Sequence, residues 1–191
     1  MPIPHRLAAL AAAGCFAPLV HATNGMNLEA YGAKAGGMGG AAFAYDSGNS
    51  AVMNNPATLG LKPDGQSDLG LGLTLLNPDV SSSRPGIGDY DSGGDAYWMP
   101  SLSWVHRAGR WTYGAGMLAQ GGMGTEYGTG SPLFATGTSM GGMTAPLSGE
   151  EIRSEVGVGR LMFPLAFQAS DALTLAAQLD VVWATMDVKM D

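Results

Sequence analysis

Cysteine, charge and long apolar runs are all scarce in this sequence, and each scarcity closes off a class of protein. Cys15 is the one cysteine among 191 residues. If the chain is cut after Ala22, as argued below, disulfides and thiolate chemistry are both excluded. Charged residues make up 13% of the chain, roughly half the share of an ordinary soluble domain. What charge there is leans acidic, with 9 Lys and Arg against 16 Asp and Glu. A phosphate backbone wants a basic face, so nucleic acid is excluded as a partner. After Ala22 there is no run of 18 apolar residues, so no transmembrane helix follows. Catalytic side chains are as scarce. His106 is the one histidine beyond residue 22, it sits beside Arg107, and no G-x-S-x-G motif accompanies it. Glu150, Glu151 and Glu155 read as lumen or interface charges rather than an acid/base pair, and no enzyme and no cofactor are expected.

What is present begins with a targeting segment. Met1 to Arg6 form a short n-region, Leu7 to Val20 an apolar stretch rich in alanine, and Val20-His21-Ala22 a small-residue cleavage site. This is the pattern of a secretory signal peptide over residues 1–22. Ala12-Ala13-Gly14-Cys15 offers lipidation at Cys15 as an alternative cut. Because residues 1–22 carry Arg6 and no acid, the mature chain holds 9 − 1 = 8 basic and 16 acidic residues, a formal charge of −8.

Residues 23–65 have no period of 2 or 3.6 and are dense in glycine. From residue 66 the pattern becomes period 2, with strands expected over 67–77, 97–107, 111–120, 151–168 and 173–188. Leu69, Leu71, Leu73 and Leu75 share one face of the first, and Trp98, Leu102 and Trp104 one face of the second. Trp111, Tyr113, Ala115, Met117 and Ala119 do so in the third. Residues 81–94 and about 121–149 read as loops, the second repeating Gly-Gly-Met. In the fourth strand Ile152, Val156 and Val158 are even-numbered, whereas Leu161, Phe163, Leu165 and Phe167 are odd. A β-bulge near Gly159-Arg160 would account for the switch. In the last strand Leu173, Leu175, Leu179, Val181 and Trp183 oppose Thr174, Gln178 and Asp180.

Segments of about ten residues with one apolar face, joined alternately by short turns and long loops, are the signature of an outer-membrane β-barrel. The expected fold class is therefore all-β, an antiparallel barrel with an N-terminal plug. A soluble β-sandwich alternates equally well and is the competing architecture. Closure in a membrane takes about eight strands or more, and an open edge in lipid leaves backbone groups unpaired. Five strands thus point to a fragment of a longer protein, with self-assembly of several chains as the other solution.

The stretch "GAKAGGMGGAAFAYDSGNSAVMNNPATLGL" resembles the N-terminal hatch of the long-chain fatty acid transporter (FadL-type) family of outer-membrane proteins. Asp46, Asn49, Asn55, Pro56 and Ala57 stand where that family carries its Asp and its Asn-Pro-Ala. "MPSLSWVHRAGRWTYGAGMLAQGGMGTEYG" and "VGRLMFPLAFQASDALTLAAQLDVVWATM" are similar to its strands two to five. The resemblance implies a fourteen-stranded monomeric barrel in the bacterial outer membrane, plugged by residues 23–65. It implies passive uptake of long-chain fatty acids or other hydrophobic compounds, leaving sideways through a gap at a kink in the third strand. On this chain the kink falls at Gln120, Gly121 and Gly122. A secreted structural β-protein or adhesin without transport is the alternative.

Three groups of site residues follow. Asp46, Asn49, Asn54 and Asn55, with Pro56, either bond the barrel wall and hold the plug shut or make ordinary turns. Met123, Leu133, Phe134, Met140 and Met143 either form a flexible apolar ligand loop or pack on their neighbours or on lipopolysaccharide. Asp89, Asp91 and Asp95 in "DYDSGGD" echo a calcium loop, but Gly93 holds its fifth position and no glutamate closes it. No metal is expected.

Overall fold

The computed structural model describes residues 27–129, 131–134 and 151–189. The expected signal peptide, Cys15, Glu150, Met140 and Met143 lie outside the described residues. The molecule is mostly antiparallel β-sheet with few helices. Five strands form one sheet in the order β1 (Ser67–Leu76), β4 (Tyr97–Ala108), β5 (Trp111–Glu126), β6 (Arg153–Ser170) and β7 (Leu173–Lys189). Two-residue turns at Gly109-Arg110 and Asp171-Ala172 join neighbours at one end. Gly109 takes a positive φ of 59° there, which an L side chain adopts at a cost. The connections at the other end run over residues 77–96 and 127–152.

Register follows from the side-chain alternation. Leu71 opposes Leu102, Leu102 opposes Met117, Met117 opposes Leu161 and Leu161 opposes Val181. One face is therefore a continuous apolar surface. Leu69, Leu71, Leu73, Trp98, Tyr113, Phe163, Leu175 and Leu179 are all exposed on it, Leu71 at 80% and Leu179 at 67%. A soluble protein does not leave so much contiguous hydrocarbon in water. Among the described residues no helix is long and apolar enough to cross a membrane, which leaves crossing by strands untouched.

The opposite face mixes small and polar residues with buried apolar ones, Met99, Val105, Leu118 and Met162, and carries the N-terminal segment. Its described part holds two short helices, α1 (Ala33–Gly37) and α2 (Ala51–Asn54), with a 3-10 turn at Gly48–Ser50 leading into α2 and another at Pro56–Leu61 following it. Ala51, Val52 and Leu59 bury against Val105, Leu118 and Met162 of the sheet, with Tyr31 and Met53 packed around them. Close approach depends on missing side chains. A Cβ at Gly70 would lie 2.8 Å from Asn49 Cβ, and one at Gly116 would lie 3.0 Å from Val52.

The C-terminal end of this segment is riveted to the turn end of the sheet. Arg107 donates from Nη1 to the carbonyls of Gly60 and Lys62, from Nη2 to Gln168 Oε1, and from Nε to Gly109 O. Lys62, buried to 4% exposure, pairs with Asp68 at 2.6 Å, and Asp64 accepts from the Gly109 amide at 2.6 Å.

Three expectations need correction. Residues 81–94 are not all loop: β2 (Ser81–Arg84) and β3 (Gly88–Asp91) form a separate hairpin, held by backbone pairing and without an apolar alternation to announce it. The third sheet strand does not end at Gln120 but continues to Glu126, and β6 begins at Arg153, because Gly121 to Glu126 pair residue by residue with Val158 to Arg153. The bulge is not in β6. That strand pairs with β7 without a shift from Arg153 to Gln168, and the extra residue is Gln120 on β5, between Ala119↔Gly159 and Gly121↔Val158.

Candidate functional site: a break in the sheet between β4 and β5

The bulge sits beside an opening. β4 and β5 are hydrogen-bonded from Ala108↔Trp111 up to Ser101↔Leu118, and the pairing stops there although both strands continue. Above that point β4 stays with β1, as far as Leu76↔Tyr97, while β5 stays with β6. An extra residue bends and twists the strand that carries it, which separates β5 from β4. The gap closes again at its far end. The Gly93 amide donates to Glu126 O at 2.7 Å, and the Glu126 amide donates to Ser92 Oγ at 2.9 Å. Tyr97 reaches across beneath that clasp, its hydroxyl filling the space that a Cβ on Gly124 would need, 2.6 Å away.

A cavity of about 640 Å³ occupies the gap. Trp98, Met117 and Trp183 line it from the exposed apolar face, and Met99 and Leu118 line it from the face that carries the N-terminal segment. It therefore runs through the sheet. A second cavity of about 640 Å³ lies between the N-terminal segment and the sheet, and both include Met99, Leu118 and Ala119 in their walls. The change of apolar face in β6 now has a cause. By alternation Val156 and Val158 share the face of Met162, and Met123 opposes Val156 in register. Beside the gap, Val156, Val158 and Met123 extend the apolar part of that face.

Gln120 ties the gap to the N-terminal segment. Its carbonyl accepts from the Leu28 amide at 3.4 Å and from the Tyr31 hydroxyl at 2.6 Å. Its carboxamide donates to Asn27 Oδ1 and accepts from Arg160 Nε at 2.8 Å, and Arg160 pairs with Asp180 at 2.8 Å. Asn27 also forms an isolated bridge to Gly121. Burial raises the Tyr31 hydroxyl pKa, partly countered by a backbone hydrogen bond at Leu28 and the field of Arg160.

The other expected residues divide. Asn49 reaches the sheet, donating to Asp68 O at 3.1 Å and Ser103 O at 3.4 Å. Asp46, Asn54 and Asn55 instead bond inside the N-terminal segment. Asp46 accepts from Gly48 N, Asn54 donates to Tyr31 O, and Asn55 donates to Phe43 O while capping the turn that Pro56 begins. Met123 lies in β5 and lines the gap, not in a loop. Leu133 is buried elsewhere, its carbonyl accepting from Arg84 of the β2–β3 hairpin at 3.1 Å, and Phe134 ends the short turn Pro132–Phe134. Among the described residues no group of three or more His, Cys, Asp or Glu could hold a metal ion. His106 lies on the apolar face, stacked with Trp104 at 6.3 Å and edge-on to Tyr113 at 5.6 Å.

Comparison with known proteins places this geometry. The toluene transporter TodX of P. putida is 33% identical and superposes with a TM-score of 0.74, over 85% of this chain and 37% of its own. The toluene transporter TbuX of Ralstonia pickettii is 35% identical with a TM-score of 0.66, over 85% of this chain and 40% of its own. CymD, a monoaromatic hydrocarbon channel, is 28% identical with a TM-score of 0.60, over 85% and 34%. An uncharacterized protein encoded in the 5′ region of the phosphoenolpyruvate carboxykinase gene of Chlorobium limicola is 52% identical over 101 residues, 52% of this chain and 48% of that one. The chain thus spans about half of that relative and about two fifths or less of the channels. No protein-family model matches it. The fold is that of part of a FadL-type outer-membrane barrel, and its solved neighbours are transporters and channels rather than enzymes.

Arg107, Tyr97 and Arg160 escaped the sequence reading, and Asp180 was legible only as part of the polar face of its strand. Arg107 and Tyr97 stand at strand ends, where charge and aromatics read as rim. Arg160 next to Gly159 was legible only as a position where the apolar face changed.

Proposed function

We propose that this chain is the N-terminal part of a FadL-type outer-membrane channel that takes up small hydrophobic compounds passively and releases them sideways into the membrane. One observation carries the reading: the break between β4 and β5 holds an apolar cavity that joins the two faces of the sheet. A solute that has partitioned out of water gains about 25 cal/mol for each Å² of apolar surface it buries. It would lose that gain on entering the periplasm, and keeps it by passing between strands into lipid. The N-terminal segment is then the plug, since it covers the polar face near the turn end. The secretory leader cleaved after Ala22 and the outer-membrane location belong to this reading. Compounds of the monoaromatic class fit the similarity to TodX and CymD, and long-chain fatty acids are the second substrate class that the resemblance implies.

Deletion of Gln120 from the full-length protein tests the proposal. Removing the extra residue lets β5 run straight and pair onward with β4. Uptake of labelled toluene by cells should fall to the empty-vector level while the barrel still assembles in the outer membrane. Unchanged uptake by an assembled deletion variant would contradict a sideways exit here.

A further inference from the structure

We infer that the opening between β4 and β5 selects against carboxylates, so that the compound leaving through it is a neutral hydrocarbon and not a fatty-acid anion. The inference rests on the channel reading above and names the substrate class of that same site. Its charge pattern is the reason. Among the described residues the charged side chains that line the cavity are Glu155 and Asp187, and no lysine or arginine lines it. Both carboxylates share one cation. Arg153 Nη2 lies 2.8 Å from Glu155 and 3.0 Å from Asp187, and Nη1 lies 4.0 Å from Glu151. Lys189 is taken by Glu151 at 2.8 Å. The pairs therefore set three carboxylates (Glu151, Glu155, Asp187) against two cations (Arg153, Lys189), one negative charge in excess.

The rest of the lining favours a neutral ring. Met99, Met117, Met123 and Met186 stand with Trp98 and Trp183 around the cavity. Thioethers contact ring edges favourably, and offset aromatic pairs gain beyond the area they bury. The donors in the lining, the Trp98 and Trp183 indoles and the Tyr97 and Thr185 hydroxyls, are all neutral, so no cation offsets the desolvation penalty of a carboxylate driven into the site. The acidic rim and the apolar lining thus reject an anion for independent reasons.

The experiment uses porin-deficient cells expressing the full-length protein, with uptake of labelled ethylbenzene and labelled 4-ethylbenzoate measured at pH 7 and corrected for empty vector. Wild type should take up ethylbenzene and strongly disfavour 4-ethylbenzoate. Glu155→Gln with Asp187→Asn removes both lining carboxylates and leaves Arg153 only its 4.0 Å contact with Glu151. It should shift the ratio of the two uptakes toward 4-ethylbenzoate by roughly fivefold, the size of one like-charge repulsion at about 4 Å in water. Wild type alone supplies a second arm, free of any folding defect. Raising ionic strength from 20 to 300 mM shortens the screening length well below 20 Å and should shift the ratio in the same direction. Ethylbenzene uptake with a ratio that moves in neither arm overturns the charge selection and leaves the channel standing. Uptake of neither compound above empty vector removes the channel reading, and the inference with it.

Discussion

Arg160 donates to the side chain of Gln120 at 2.8 Å while holding Asp180 at 2.8 Å. The residue that breaks the strand pairing is thereby fastened to the wall on one side and to Asn27, Leu28 and Tyr31 on the other. A bulge alone would leave a loose edge. This one is cross-braced, and its bracing is also the contact of the N-terminal segment with the opening.

Arg160→Met should therefore do more than remove an ion pair. It leaves Asp180 without its partner and frees the Gln120 carboxamide, at a cost of about 1–2 kcal/mol, less than for a fully buried pair because both side chains are about a quarter exposed. The urea midpoint of the heat-modifiable barrel band should drop accordingly. A midpoint equal to wild type would show that the brace carries no load.

Arg107→Ala should loosen the N-terminal segment at its other end. It removes donors to Gly60 O, Lys62 O and Gln168 together, and charged hydrogen bonds contribute about 1.5–3 kcal/mol each, non-additively. Amide hydrogen exchange over residues 59–62, where Leu59 and Lys62 are buried in the wild type, should quicken. Arg107→Lys should not restore protection, because one ammonium cannot span the four acceptors that the guanidinium reaches.

Gly159→Val tests the packing beside the opening. A Cβ there would lie 2.3 Å from the Trp183 ring, so the indole must swing away or the strands must part. A shift in tryptophan emission is expected, with a loss of about 1–3 kcal/mol from overpacking. Emission and stability like those of wild type would contradict the placement of Trp183.

Alkaline pH should release the N-terminal segment. The Tyr31 pKa is raised, chiefly by burial, so the folded state holds its proton when the unfolded state has lost it. The contribution is intact below the ordinary tyrosine value of about 10 and declines as pH rises from there through the folded value. Protease protection of residues 27–35 should fade over that window, and Tyr31→Phe should remove the dependence. A pH profile identical in Tyr31→Phe would rule out this origin.

Most strands were legible because Leu69 to Leu75 and Leu173 to Trp183 alternate against lipid on one side, and burial of hydrocarbon writes itself into sequence with period 2. The continuation of β5 was hidden because Gly121-Gly122-Met123-Gly124 has no face to alternate and is held by its partner β6. The bulge fell on the wrong strand for a related reason. A face switch in β6 is visible in one sequence, whereas a bulge belongs to a pair, and Val156 and Val158 turned inward to line a cavity. Of Asp46, Asn49, Asn54 and Asn55, it is Asn49 that hydrogen-bonds the sheet. Turn-forming and wall-bonding asparagines read alike until the wall is in place.

The most direct test of exit between β4 and β5 is to bridge the gap reversibly. Pro100→Cys and Ala119→Cys in the full-length protein place one thiol on each strand just above the last pair, Ser101↔Leu118. They are joined with a short, reducible dithiol cross-linker, and toluene uptake is measured before and after reduction. The account predicts uptake near the empty-vector level while cross-linked and recovery on reduction. Full uptake through a cross-linked gap would contradict it.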